Sequence, residues 1–142
     1  MSSIGVPADT VTNGEERADV ELRLPADSAY ASVLRTTTAG LAARLDFPID
    51  DIEDLRIAVG EASAMVLPEA RPDSDLVCRF YMRPSELTVR IGVEVDHEVV
   101  PDEDSFAWQV LTTLATGATA ETSDGVFAIS VTMESGLPGA GF

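Results

Sequence analysis

Between Asp50 and Val66 the chain reads DDIEDLRIAVGEASAMV, and this pattern leaves little choice of local structure. Ile52, Leu55, Ala58, Val59, Ala62, Met65 and Val66 recur at the spacing of one helix face, which predicts an amphipathic helix with that stripe turned to a core. Asp50 and Glu53 have the spacing of a capping box, and Asp51, Glu53 and Asp54 place negative charge at the positive end of the helix dipole. Pro68 forbids continuation. Glu61 and Met65 fall one turn apart on the same edge of the stripe, so they are expected to border one cavity.

The other segments alternate as strands or repeat as helices. Val20, Leu22 and Leu24 alternate with Glu21 and Arg23 as a first strand. Pro25 and Asp27 then introduce a helix whose apolar side is predicted to run Tyr30, Val33, Leu34, Leu41, Leu45. Leu76, Cys78, Phe80 and Met82 form one face of a second strand. Arg83–Pro84–Ser85–Glu86 turns it into a third, with Leu87, Val89, Ile91, Val93 and Val95 on one side and Thr88, Arg90 and Glu94 on the other. An acidic loop, Asp96 to Asp104, precedes a short helix from Ser105 to about Leu114, with Phe106, Val110, Leu111 and Leu114 in register. Asp124–Gly125 turns into a last strand, in which Phe127, Ile129, Val131 and Met133 face one way. The expected order is strand, two helices, two strands, helix, strand: a mostly antiparallel sheet with helices layered on one face. Residues 1–17 are predicted to be disordered, 18–135 to form one domain, and 136–142 a tail.

Composition narrows function mainly by exclusion. No run approaches the roughly 18 apolar residues that cross a bilayer, and the N-terminus lacks the basic and apolar blocks of a secretory signal. The single cysteine, Cys78, lies in an alternating apolar segment and reads as a buried inert thiol, with a cytoplasmic location expected. One histidine, His97, leaves no partner for a histidine-based metal site, and no metal is expected. A formal charge of −16 repels phosphate backbones, so direct nucleic-acid binding is not expected. The same charge either serves solubility alone or steers the chain toward a basic protein surface.

The helix DDIEDLRIAVGEA, the segment VLRTTTAG, the run Ser105-Phe106-Ala107-Trp108-Gln109-Val110-Leu111 and the closing GVFAISVTM together resemble the anti-sigma regulatory factors of the RsbW/UsfX type. These are a branch of the GHKL (histidine-kinase-like) ATPases, and the likeness runs from about Val20 to Met133. It implies an α/β, two-layer sandwich of the GHKL kind. In that family a glutamate general base is followed four residues later by a magnesium-binding asparagine; here Glu61 is kept and the second position is Met65. The family's Asp-X-Gly-X-Gly segment corresponds to Arg90–His97, with Ile91 in it, and lacks the motif. Its second glycine turn corresponds to Ser105–Trp108, with Ala107 and a bulky indole where the backbone should be bare. With Met65, Ile91 and Ala107 at degenerate positions, no cofactor is expected; ATP and magnesium would enter only if the family pocket survives.

By helix register, Arg35 corresponds to an arginine through which the family contacts both sigma factor and anti-anti-sigma protein. An exposed helix arginine serving only solubility is the alternative. Glu98, Asp102 and Asp104 in the acidic loop would face a basic surface of the sigma factor, or form only a solvated loop. Trp108 is read as a core aromatic. The partners implied are an alternative sigma factor, an anti-anti-sigma protein and a second copy of the chain through the sheet or its edge. The competing reading is an active serine-protein kinase that uses Mg-ATP to phosphorylate the anti-anti-sigma protein, with Glu61 as base.

Overall fold

The computed structural model describes residues 16–135, so the predicted tail 136–142 and all but the last two residues of the predicted disordered segment 1–17 lie outside the described residues. Strand β1 (Val20–Pro25) leads through a short 3-10 turn (Ser28–Tyr30) into helix α1 (Ala31–Arg44). Helix α2 (Ile49–Val66), the hairpin of β2 (Asp75–Arg83) and β3 (Glu86–Glu94), helix α3 (Phe106–Leu114), and a second hairpin of β4 (Gly117–Ser123) and β5 (Val126–Glu134) follow. The strands form one sheet in the order β1-β2-β3-β5-β4, with every neighbouring pair antiparallel.

The three helices share one apolar cluster with a single face of this sheet. Leu76, Cys78 and Phe80 of β2, Leu87, Val89 and Ile91 of β3, and Ile129 and Val131 of β5 meet Leu55, Val59 and Val66 of α2, Leu34 of α1 and Leu111 of α3. The result is the expected two-layer α/β sandwich. Of the stripe predicted on α2, Ile52, Leu55, Ala58, Val59, Ala62 and Val66 are buried, and Met65 is half-buried against the same cluster. Burial pushes the Cys78 thiol up from 9.0 to about 12, so it is inert at neutral pH, as its place in an apolar run suggested.

Four local expectations are corrected. Helix α2 starts one residue earlier than its pattern implied: Pro48 is the N-cap residue, with φ −61 and ψ 154, and no side chain caps the helix. Asp50 therefore sits inside the first turn, and the Asp50–Glu53 capping box does not form. On α1 the buried stripe is Leu34, Thr38 and Ala42, whereas Tyr30 and Val33 are 39% and 40% exposed. A buried threonine is tolerated because its Oγ1 donates to the Leu34 carbonyl at 2.8 Å, which disposes of the hydroxyl inside the helix. Phe106, expected in register with the core, is 80% exposed. The turn points Trp108 and Leu111 inward instead, so the indole is a core aromatic as read.

The fourth correction adds a strand. Gly117–Ser123, GATAETS, forms the edge strand β4, which the sequence pattern did not reveal. Its inward residues are Ala118, Ala120 and Thr122, small or polar, so the alternation that marks a half-buried strand is faint. Asp124 and Gly125 close its hairpin to β5 with φ of 54° and 77°, the left-handed pair that a tight hairpin of this hand requires.

Candidate functional site

Glu61 and Met65 lie on one edge of α2, as the spacing predicts, and both are half-buried. Ser63 between them is buried and returns its hydroxyl to the Gly60 carbonyl at 2.9 Å, so it presents nothing outward. Glu61 makes no salt bridge with the described residues. The other two positions at which the resemblance would place nucleotide contacts are not equivalent. Ile91 is fully buried in the core, so no ligand can touch its side chain without unpacking the sheet, whereas Ala107 is half-buried in the first turn of α3.

Met65 is a poor partner for a magnesium nucleotide. A hard divalent cation needs oxygen donors, and the position that should supply one carries the Met65 thioether. Among the described residues no three carboxylate, histidine or cysteine side chains are grouped to hold a metal. Surface cavities of about 440, 360 and 340 Å3 exist, but they lie on the uncovered sheet face and beside the β4–β5 turn. None of the three is lined by Glu61, Met65 or Ala107.

Arg35 is half-buried where α1 crosses α2. A Cβ on Gly60 would lie 3.4 Å from its Cδ and 3.7 Å from its Nη1, so the aliphatic stem is laid across the one bare turn of α2. The sequence predicted an outlying, exposed guanidinium; the structure gives the stem a packing role as well. The fork itself has no ion pair or hydrogen bond with the described residues, which leaves its donors available to an incoming carboxylate. Ile57, on the same helix one turn before Gly60, is 48% exposed.

The acidic loop is built rather than slack. Val99 donates to Thr122 Oγ1 at 3.1 Å while that hydroxyl donates to the Val99 carbonyl at 2.9 Å, pinning the loop to β4. Asp102 accepts from the Asp104 amide at 3.0 Å, and Ser105 caps α3 by accepting from the Trp108 amide at 3.1 Å. Glu98, Asp102 and Asp104 are exposed, whereas Asp96 is paired with Arg71 at 3.1 Å. Val100 and Phe106 stand in the same segment, 83% and 80% exposed. Sequence patterning missed Phe106 because it fits the apolar period of the helix, and Val100 because it stands within the acidic loop. Helix α2 packs against both α1 and α3, so it stands between Arg35 and the acidic loop.

A five-stranded antiparallel sheet with three helices on one face defines the class: a two-layer α/β sandwich of the GHKL kind. A scan against protein-family models finds no match. Among curated proteins the chain is 33% identical over 110 residues to the anti-sigma-F factor RsbW of Mycobacterium tuberculosis, covering 76% of this chain and 66% of that protein. It is 37% identical over 90 residues to the serine-protein kinase RsbW of Bacillus velezensis, and 34% identical over 90 residues to that of Bacillus subtilis. Each of these two matches covers 61% of this chain, which spans about half the length of the Bacillus relatives (51%). The chain belongs to the RsbW-type family of anti-sigma regulators.

Proposed function

We propose that the chain is a cytoplasmic anti-sigma factor that binds and sequesters an alternative sigma factor and is released by an anti-anti-sigma protein. The observation that carries this reading is the similarity to the anti-sigma-F factor RsbW, and it is supported by Met65 standing where the resemblance would place a magnesium-binding asparagine. Arg35, with an unpaired fork on a packed stem, is the contact for a carboxylate of either partner. Glu98, Asp102 and Asp104 supply a fixed acidic edge suited to a basic sigma surface. Occlusion is steric and electrostatic, and it needs no ATP. The chain works as a homodimer, which rests on the resemblance.

A kinase reading has one observation in its favour: Glu61 is retained where a general base would stand, and the Bacillus relatives are named serine-protein kinases. Against it, Glu61 has no neighbouring oxygen donor for magnesium at Met65. One experiment separates the two. The purified chain is mixed with each sigma factor of the source cell and with candidate anti-anti-sigma proteins, with and without Mg-ATP. A stable sigma complex formed without nucleotide supports sequestration; phosphoserine on the anti-anti-sigma protein would establish the kinase, and binding to no sigma factor would overturn the proposal.

A further inference from the structure

Where α1 crosses α2, the helix surface holds two charges of opposite sign without a partner among the described residues. The chain has 25 acidic side chains and nine basic ones, all of them arginine, so an arginine without a carboxylate is an exception. Arg23, Arg56, Arg71, Arg79, Arg83 and Arg90 each have one at between 2.7 and 3.5 Å. Arg17 and Arg44 are exposed, where water serves them. Among the described residues, Arg35 alone is a half-buried arginine with no ion pair. Glu61, on the adjoining edge of α2, is half-buried and also has none.

Helix geometry keeps the two apart. The Arg35 stem is seated on Gly60, its Cδ 3.4 Å from where a Cβ would stand. Glu61 is the next residue and projects about 100° further round the helix, away from that seat. Ile57 stands three residues before Gly60 and four before Glu61, so it is the helix-surface neighbour of both. It is 48% exposed. Across α2 the surface therefore reads cation, aliphatic, anion. Half-burying a guanidinium and a carboxylate without partners costs free energy. A carboxylate at position 57 would relieve the first of these, and the chain carries an isoleucine there instead.

We infer that Arg35, Ile57 and Glu61 form one docking strip for a segment of the sigma factor that carries a carboxylate and a basic side chain on either side of an apolar one. The inference rests on the functional reading above, and it assigns Glu61 to the partner rather than to phosphoryl transfer. The segment's carboxylate takes the Arg35 fork and its basic side chain takes Glu61. The apolar residue covers Ile57 and keeps water from both pairs, which is the condition under which an interfacial ion pair gains strength. The opposite signs also fix the segment's direction across α2. Reversed, it would set carboxylate against Glu61 and cation against Arg35, and both contacts would repel. A purely basic surface, of the kind the acidic loop attracts, would satisfy Glu61 but not Arg35.

The test is the affinity of the full chain for the sigma factor that wild type holds, measured without nucleotide at two salt concentrations, with a melting curve for every variant. Glu61→Gln keeps the side-chain shape and removes the charge; it should weaken binding about tenfold, and Glu61→Lys about a hundredfold. Glu61→Gln should also flatten the fall of affinity with salt, which loss of a structural or catalytic role would not do. Neither change should lower the melting temperature, because Glu61 holds no ion pair in the free chain. Ile57→Glu, which supplies Arg35 with a carboxylate, should leave the melting temperature unchanged or higher and weaken binding about tenfold or more. When each Lys and Arg of the sigma factor is changed in turn to Glu, one such variant should bind Glu61→Lys more tightly than it binds wild type. Unchanged affinity in Glu61→Gln or in Ile57→Glu overturns the inference, as does a scan in which no variant recovers Glu61→Lys; sigma binding by wild type then leaves the functional proposal standing. A wild type that holds no sigma factor overturns the functional proposal and this inference with it.

Discussion

Arg35 combines two roles that a sequence cannot separate, because its stem packs over Gly60 while its fork has no partner among the described residues. Arg35→Ala is therefore expected to lower the melting temperature slightly, through a loss of about 1 kcal/mol of packing. It should weaken sigma binding roughly thirtyfold, as truncation of an interface arginine commonly does. Arg35→Met keeps the stem and removes the fork, so it should restore the melting temperature and leave sigma affinity low. Equal affinity in all three proteins would reduce Arg35 to a packing residue. Cys78 offers a pH test at the same scale. Its folded pKa, about 12, lies above the ordinary 9.0, so the buried thiol opposes deprotonation. Its contribution is fully present below pH 9 and is lost as pH rises toward 12, because the unfolded chain releases that proton first. Denaturant titrations should show wild type losing stability relative to Cys78→Ala between pH 9 and 11 and tracking it below. Parallel curves throughout would mean that the thiol is not desolvated.

The helices differ in what holds their ends. Helix α3 has nine residues and one side-chain cap, Ser105, whereas α2 has eighteen residues and none. Ser105→Ala should cost about 1 kcal/mol, and Asp50→Ala should cost only a few tenths, because Asp50 contributes through the helix dipole alone. Urea midpoints of the two variants check the order, and a larger loss at Asp50 would restore the capping box that the backbone lacks. In α1, Gly40 is exposed, and nothing lies within 4 Å of an added Cβ. Gly40→Ala should then stabilise by about 0.5–1 kcal/mol through helix propensity, raising the melting temperature by a few degrees.

At the scale of the whole molecule, the charge of −16 and the Glu61–Met65 edge of α2 frame the predictions. Any complex with a basic sigma surface should weaken as salt rises, since exposed carboxylates such as Glu98, Asp102 and Asp104 act through a screened field. Sigma affinity measured at about 50 and 300 mM salt should fall between the two. Calorimetric titration with Mg-ATP should show no low-micromolar binding, and Met65→Asn alone should not create it, because Ile91 remains locked in the core. A tight site in either protein would return the kinase reading to first place.

The sequence by itself determined the elements whose signal is local. The α2 stripe, the β2–β3 hairpin and the Phe127–Met133 alternation follow from side-chain period and turn residues, which need no knowledge of the neighbours. Glu61 and Met65 on one edge of α2 were legible for the same reason. What lies beside them was not. Whether Phe106 or Trp108 turns inward, whether Val33 or Thr38 is buried, and whether GATAETS is a strand all depend on what packs opposite, and periodicity alone leaves two faces of a helix nearly equivalent. Arg35 over Gly60 and the cross-strand pairing of Arg79 with Arg90 are products of helix crossing and strand register. They join residues far apart in the chain, and only the closed tertiary structure sets their distances.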